Sequence, residues 1–192
     1  MNIVTNSCLG GFLYRDILRT KYLNPFIWTA IRDPDFNCLF RNYSNLDFTN
    51  YEIKSSNGKV DGTYTLRIDD SVNVLYQHVL FSANDNVPRI VGNDLYFNRP
   101  YSYIVEKYEE RLNRMKEEPK FVFIDLDGTK NYALSKIANE CNKKVTIITI
   151  DEKFDTSEFV KVYKVEKQDW TKVNWWGCLC NRYSDMLQEL VK

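Results

Sequence analysis

The 192-residue chain has a single histidine, five prolines and no surplus of either charge: 26 Lys plus Arg stand against 26 Asp plus Glu. A balanced charge argues against a dedicated nucleic-acid binder, which carries a basic excess, so no nucleic-acid partner is expected. Long apolar runs are also missing. The longest are about six residues, far short of the ~20 that span a bilayer, so no membrane span is expected. The first residues lack a basic start and an unbroken apolar stretch, because Asn6, Arg15 and Asp16 interrupt them; that is not the pattern of an export signal. Cysteine is present five times, as Cys8, Cys38, Cys141, Cys178 and Cys180. An odd number at irregular spacing is no disulfide framework, and a reduced, cytoplasmic protein is expected. With one histidine, a metal centre would need three or four thiolates. The C-x-C spacing of Cys178 and Cys180 is wrong for a zinc knuckle, so neither metal nor cofactor is expected of the leading reading below.

What is abundant is apolar and aromatic: 44% hydrophobic residues, with 13 Tyr and 11 Phe. That suffices for one core, and the whole of 1–192 reads as a single α/β domain with a mixed, partly parallel sheet flanked by helices. "NIVTNS" reads as a short buried strand, and the glycines after it turn the chain into a helix over roughly 11–20. "DPDFNCLFRNY" reads as a helix with Asp33 as its cap and Pro34 at the first helical position. Residues 51–80 alternate apolar and polar, as antiparallel strands do, around an Asn57-Gly58 hairpin turn. Residues 82–100 read as a long loop with a short strand at "DLYFN". "YSYIVEKYEERLNRMKEE" sets Ile104, Tyr108, Leu112 and Met115 on one helical stripe. "KFVFIDL", "NYALSKIANECNKK" and "KVTIITI" then make a strand–helix–strand unit with parallel strands. "FVKVYKVE" adds a candidate edge strand, and the chain closes on a helix.

Two constellations carry chemistry. Cys8 falls just past the first strand and before a helix. The helix N-terminus is expected to favour its thiolate, and Leu9, Gly10 and Gly11 offer backbone N–H groups for an oxyanion. His78 is the one imidazole available as its base. The bland alternative is a small buried residue at a tight turn. The second constellation is "FVFIDLDGTKN". An apolar strand followed by D-x-D-G-T is the opening motif of haloacid-dehalogenase-like phosphatases, with Asp125 as nucleophile, Asp127 as general acid and a bridging Mg²⁺. Such an enzyme needs a Ser or Thr after the next strand, which Thr149 supplies, then a lysine and a further acidic pair. Asp151 and Glu152 come too early for that pair. The bland alternative is an Asp-Gly turn whose Asp caps a helix.

"SCLGGFLY" (7–14), "NPF" (24–26), "DPDF" (33–36), "QHVLF" (77–81), "YEERLNRM" (108–115) and "FIDLDG" (123–128) together resemble a bacterial exopolysaccharide-biosynthesis and acyltransferase family, and its papain-like cysteine-peptidase relatives from polysaccharide gene clusters. The resemblance spans most of the chain in order. It implies a Cys8–His78 pair acting on a surface-glycan or other acyl substrate. A third, orienting group is left open among Asp94, Asp125 and Asp127. A non-catalytic protein that binds glycans or partner enzymes through its tyrosines and tryptophans is the remaining class.

Overall fold

A computed structural model describes residues 1–27, 29–55, 64–76, 89–91, 94–96, 101–115, 118–128, 131–170 and 172–192. Its centre is a four-stranded, all-parallel sheet in the order β1 (Ile3–Thr5), β8 (Lys120–Asp125), β9 (Val145–Thr149), β10 (Val160–Lys164). β8 and β9 are nearly continuous apolar runs because both faces are covered, as parallel sheets require, whereas the edge strand β10 carries the exposed Lys161 and Lys164. Side chains alternate between two cores. Val4, Phe121, Phe123, Val145 and Ile147 enter one, while Ile3, Val122 and Ile148 enter the other.

The first core is shared with α2 (Asp33–Asn42) and α4 (Tyr132–Cys141). It is rich in rings: Phe36, Phe40 and Tyr43 stand edge-on to Phe121 at centroid distances of 5.0–6.0 Å. Beyond α2 lies an antiparallel meander of β3 (Tyr51–Ser55), β4 (Tyr64–Ile68) and β5 (Val72–Tyr76), extended by the two-residue β2 (Thr29–Ala30). Its Ile53, Leu66, Ile68, Val72 and Val74 close that core. The second core holds α1 (Leu9–Phe12), α5 (Trp175–Arg182) and α6 (Ser184–Leu190).

The α/β class and the parallel strands flanked by helices are as the sequence predicts; parallel and antiparallel strands fall into separate sheets. Some local boundaries differ. The helix expected over 11–20 begins at Leu9 and runs as α-helix only to Phe12. It widens into a π-helical segment over Leu13–Leu18 that ends on Arg19 in the left-handed region, φ 49°. Arg32, not Asp33, is the cap of α2, and Asp33 sits inside its first turn. Helix α3 (Tyr101–Leu112) stops short of the expected end, at turns following Leu112. The chain closes on a helix as expected, α6, with α5 before it and Tyr183 between the two. A small hairpin, β6 (Arg89–Val91) with β7 (Asp94–Tyr96), lies inside the expected loop. The Asn57-Gly58 turn lies outside the described residues. Among the described residues no helix is long and apolar enough to cross a membrane.

Candidate functional site

In a parallel sheet all strand ends of one kind share one edge, so β1, β8 and β9 deliver Asn6, Asp125 and Thr149 side by side. The connections leaving β1 and β8 then part company. After β1 the chain enters the second core through Leu9, Leu13 and Tyr14. After β8 it enters the first core, on the opposite face, through Leu134 and Ala138. The strands follow one another across the sheet in sequence order, so their carboxyl ends form one continuous edge, the edge at which open α/β folds carry their ligands.

Asn6 keeps that edge in shape. Its side-chain amide accepts from the Ile124 N–H at 2.8 Å and donates to the Ile124 carbonyl at 3.0 Å. These bonds continue the β1–β8 ladder after the β1 backbone has turned away, and the freed Asn6 carbonyl accepts from Ile31 N–H at 2.9 Å.

Cys8 is the next landmark and caps α1, with φ −62° and ψ −5°. Its surroundings reverse the local expectation of a ready thiolate. Cys8 is 8% exposed and belongs to the second core together with Leu9, Trp170 and Trp176. Burial pushes its thiol up to about 12, and a backbone hydrogen bond offsets only part of that. Removing solvent penalises the charged form more than the helix terminus favours it. The resting group is a thiol.

The backbone beside it is also partly engaged. Leu9 N–H donates to Ser7 Oγ at 3.3 Å and Gly10 N–H to Thr5 Oγ1 at 3.0 Å. The third N–H of the turn is that of Gly11. Gly10 has a packing reason to be glycine: a Cβ there would lie 3.1 Å from Thr5 Oγ1, so the helix lies this close to the strand only without a side chain.

Asp125 ends β8 and is 1% exposed; it accepts from Thr149 Oγ1 at 3.2 Å. Asp127 is exposed, and the turn beyond it needs Gly128, at φ 74°. Asp33, from the first turn of α2, faces the same two carboxylates. Its carboxyl lies above the usual range, first through burial and then through the charges of Asp125 and Asp127. This third carboxylate was not singled out by the sequence, because nothing local links "DPDF" to "FIDLDG". At the flank, Asn37 and Asn131 exchange paired amide bonds at 3.0 and 3.1 Å, tying α2 to the start of α4.

The structure thus brings Cys8, Leu9, Gly10 and Gly11 to the same sheet edge as Asp125 and Asp127. His78, and with it the Cys8–His78 pair, lies outside the described residues. Asp94 opens β7 in the separate two-stranded sheet. Among the described residues no three His, Cys, Asp or Glu side chains are grouped to hold a metal ion. The fold and the site define an α/β protein with a thiol and carboxylates at the carboxyl edge of its parallel sheet. The chain matches no protein-family model and no curated protein.

Proposed function

We propose that the chain is a cysteine-dependent acyl transferase or hydrolase acting on a surface-glycan or other acyl substrate, with Cys8 as nucleophile and His78 as base. The observation that supports it is the position of Cys8 just past the carboxyl end of β1, at the N-cap of α1 and at the sheet edge where β8 ends in Asp125. Because the resting group is a thiol, the base must remove its proton as Sγ attacks the substrate carbonyl carbon. The acyl group passes to Sγ and the leaving group departs with a proton. Water or an acceptor hydroxyl then cleaves the thioester. Asp125 and Asp127 are the candidate orienting carboxylates at that edge.

The test is mass spectrometry of the whole protein after brief exposure to an activated ester such as p-nitrophenyl acetate. The expected result is an acetyl adduct on Cys8, lost in Cys8→Ser and formed far more slowly in His78→Ala, whereas acetylation of the four more exposed thiols does not depend on His78. Absence of an adduct on Cys8 would end the reading.

One observation favours a second reading, a Mg²⁺-dependent phosphatase on Asp125 and Asp127: the Thr149 hydroxyl stands 3.2 Å from Asp125, where the D-x-D-G-T pattern wants a hydroxyl after the next strand. Metal-dependent release of phosphate from p-nitrophenyl phosphate, abolished by Asp125→Asn, would establish it in place of the first.

A further inference from the structure

At the other end of β1 the surface has the opposite character. A cavity of about 720 Å³ opens there, lined by Arg15, Arg19 and Lys21 from the end of the π-helical segment and the turn after it, and by Lys107, Arg111 and Arg114 from α3 and the turn after it. Glu110 is the one carboxylate in its lining. Its place is fixed by Tyr14, another lining residue, whose hydroxyl donates to the Met1 carbonyl at 2.9 Å and accepts from Ile3 N–H at 3.1 Å.

Glu110 is shared between Lys107, at 2.6 Å, and Arg114, at 2.9 Å, and Arg15 pairs with Asp16. Among the described residues Arg19 and Lys21 make no ion pair; both are exposed at the rim. Arg111 is different. Only 4% exposed, it holds its guanidinium 5.1 Å from the centre of the Tyr22 ring while lining the cavity. Six cations around one hollow repel each other, and in a chain of zero net charge such a concentration is not a by-product of composition. A deeply set arginine with a fixed fork suits phosphate oxygens, which it engages two at a time.

We propose that this cavity binds a small diphosphate-bearing anion, at a site separate from the Cys8 edge. The size of the hollow favours a compact group: a nucleic-acid strand or a lipid surface would extend well beyond the six cations that line it. The volume lies in the range that encloses one small molecule.

The experiment is isothermal titration of the full chain with inorganic pyrophosphate in the presence of a metal chelator, at about 50 mM and about 200 mM salt, since exposed charges are screened over that range. Saturable one-to-one binding is expected, weaker at the higher salt, and tighter than for orthophosphate. The double variant Arg19→Asn, Lys21→Gln should weaken it about tenfold or more, the loss of charge-assisted bonds. Asparagine is chosen because it tolerates the left-handed backbone at Arg19. Cys8→Ser and Asp125→Asn should bind pyrophosphate as the native chain does, which separates this site from the proposed acyl-transfer centre. Lack of saturable binding at millimolar pyrophosphate, or an affinity unchanged in the double variant, would overturn the proposal. So would a single-stranded oligonucleotide that binds more tightly and displaces pyrophosphate, because the surface would then be a nucleic-acid groove.

Discussion

The two ends of the parallel sheet are built from opposite materials. At the carboxyl ends of the strands Asp33, Asp125 and Asp127 face one another, and the buried Cys8 thiol belongs to the core on the other face of the sheet. Beside the start of β1, six cations surround an open cavity. The helical segment after β1 joins the two, carrying Cys8 at its head and Arg15 and Arg19 near its tail. The lesson is that a neutral chain is not a featureless one. Its zero net charge conceals an acidic edge and a basic hollow, each with its own chemistry.

The comparison breaks most decisively through the cysteines. A thiol moved from 9.0 to about 12 has about a thousandth of the ordinary thiolate fraction at neutral pH, since each unit is tenfold. In the native protein Cys8 should therefore be the slowest of the five to react with iodoacetamide, by about a hundredfold or more against Cys38 and Cys178 and by less against Cys180, whose thiol burial also raises. Half-buried Cys38 and Cys178 should react well before it. Peptide mass spectrometry over a time course measures the order. In denaturant the five should react alike. If Cys8 labels first while the protein is folded, the acidic edge is open and its thiol is activated, contrary to the packing described.

A smaller effect tests whether the edge is held by Asn6. Asn6→Ala leaves the Ile124 N–H and carbonyl without their side-chain partners in a partly buried place. A loss of about 2 kcal/mol is expected, the penalty for orphaned backbone groups. Chemical denaturation reads it, and amide exchange at Ile124 should quicken. Stability unchanged from the native chain would mean that water or backbone closes the gap just as well.

The smallest effect is electrostatic. Asp33 has a raised carboxyl in the folded state, so its ionised form costs stability at neutral pH, and that cost is relieved as the pH falls through the folded-state value. Asp33→Asn should raise Tm slightly at neutral pH and lose the advantage in acid, where the native carboxyl is protonated too. In an Asp125→Asn background the gain should shrink. A gain that persists in acid would point to packing rather than charge.

Much of the framework was legible because it is local. "KFVFIDL" and "KVTIITI" are apolar without interruption, and a strand covered on both faces needs no more than that to be recognised. The position of Cys8 after a strand and before a helix was equally readable, as was Asp125 at a strand end. Three features were not. Helix α5 breaks at Tyr183, whose backbone leaves the helical region at φ −131° and ψ 33° while its hydroxyl accepts from Glu166 N–H at 2.8 Å, a partner 17 positions away. The wide turn over Leu13–Leu18 places Asp16 to accept from Trp176 Nε1 at 2.7 Å, a partner 160 positions away. Asp33 joined the acidic edge only when α2 was laid beside β8.

The same division holds for the chemistry. The order of residues along the chain determined which groups stand at strand ends, because side-chain alternation and helix starts are settled within a few neighbours. It also determined that the chain carries no net charge. The state of those groups was decided by the tertiary structure. Local rules assign Cys8 a helix terminus that favours a thiolate; the second core, which includes Trp170 and Trp176, shields it from water, and desolvation outweighs the terminus. The acidic edge and the basic cavity each join segments about ninety residues apart, Asp33 with Asp125 and Arg19 with Arg111. Electrostatic interaction depends on distance in space, and only the packed chain sets that distance.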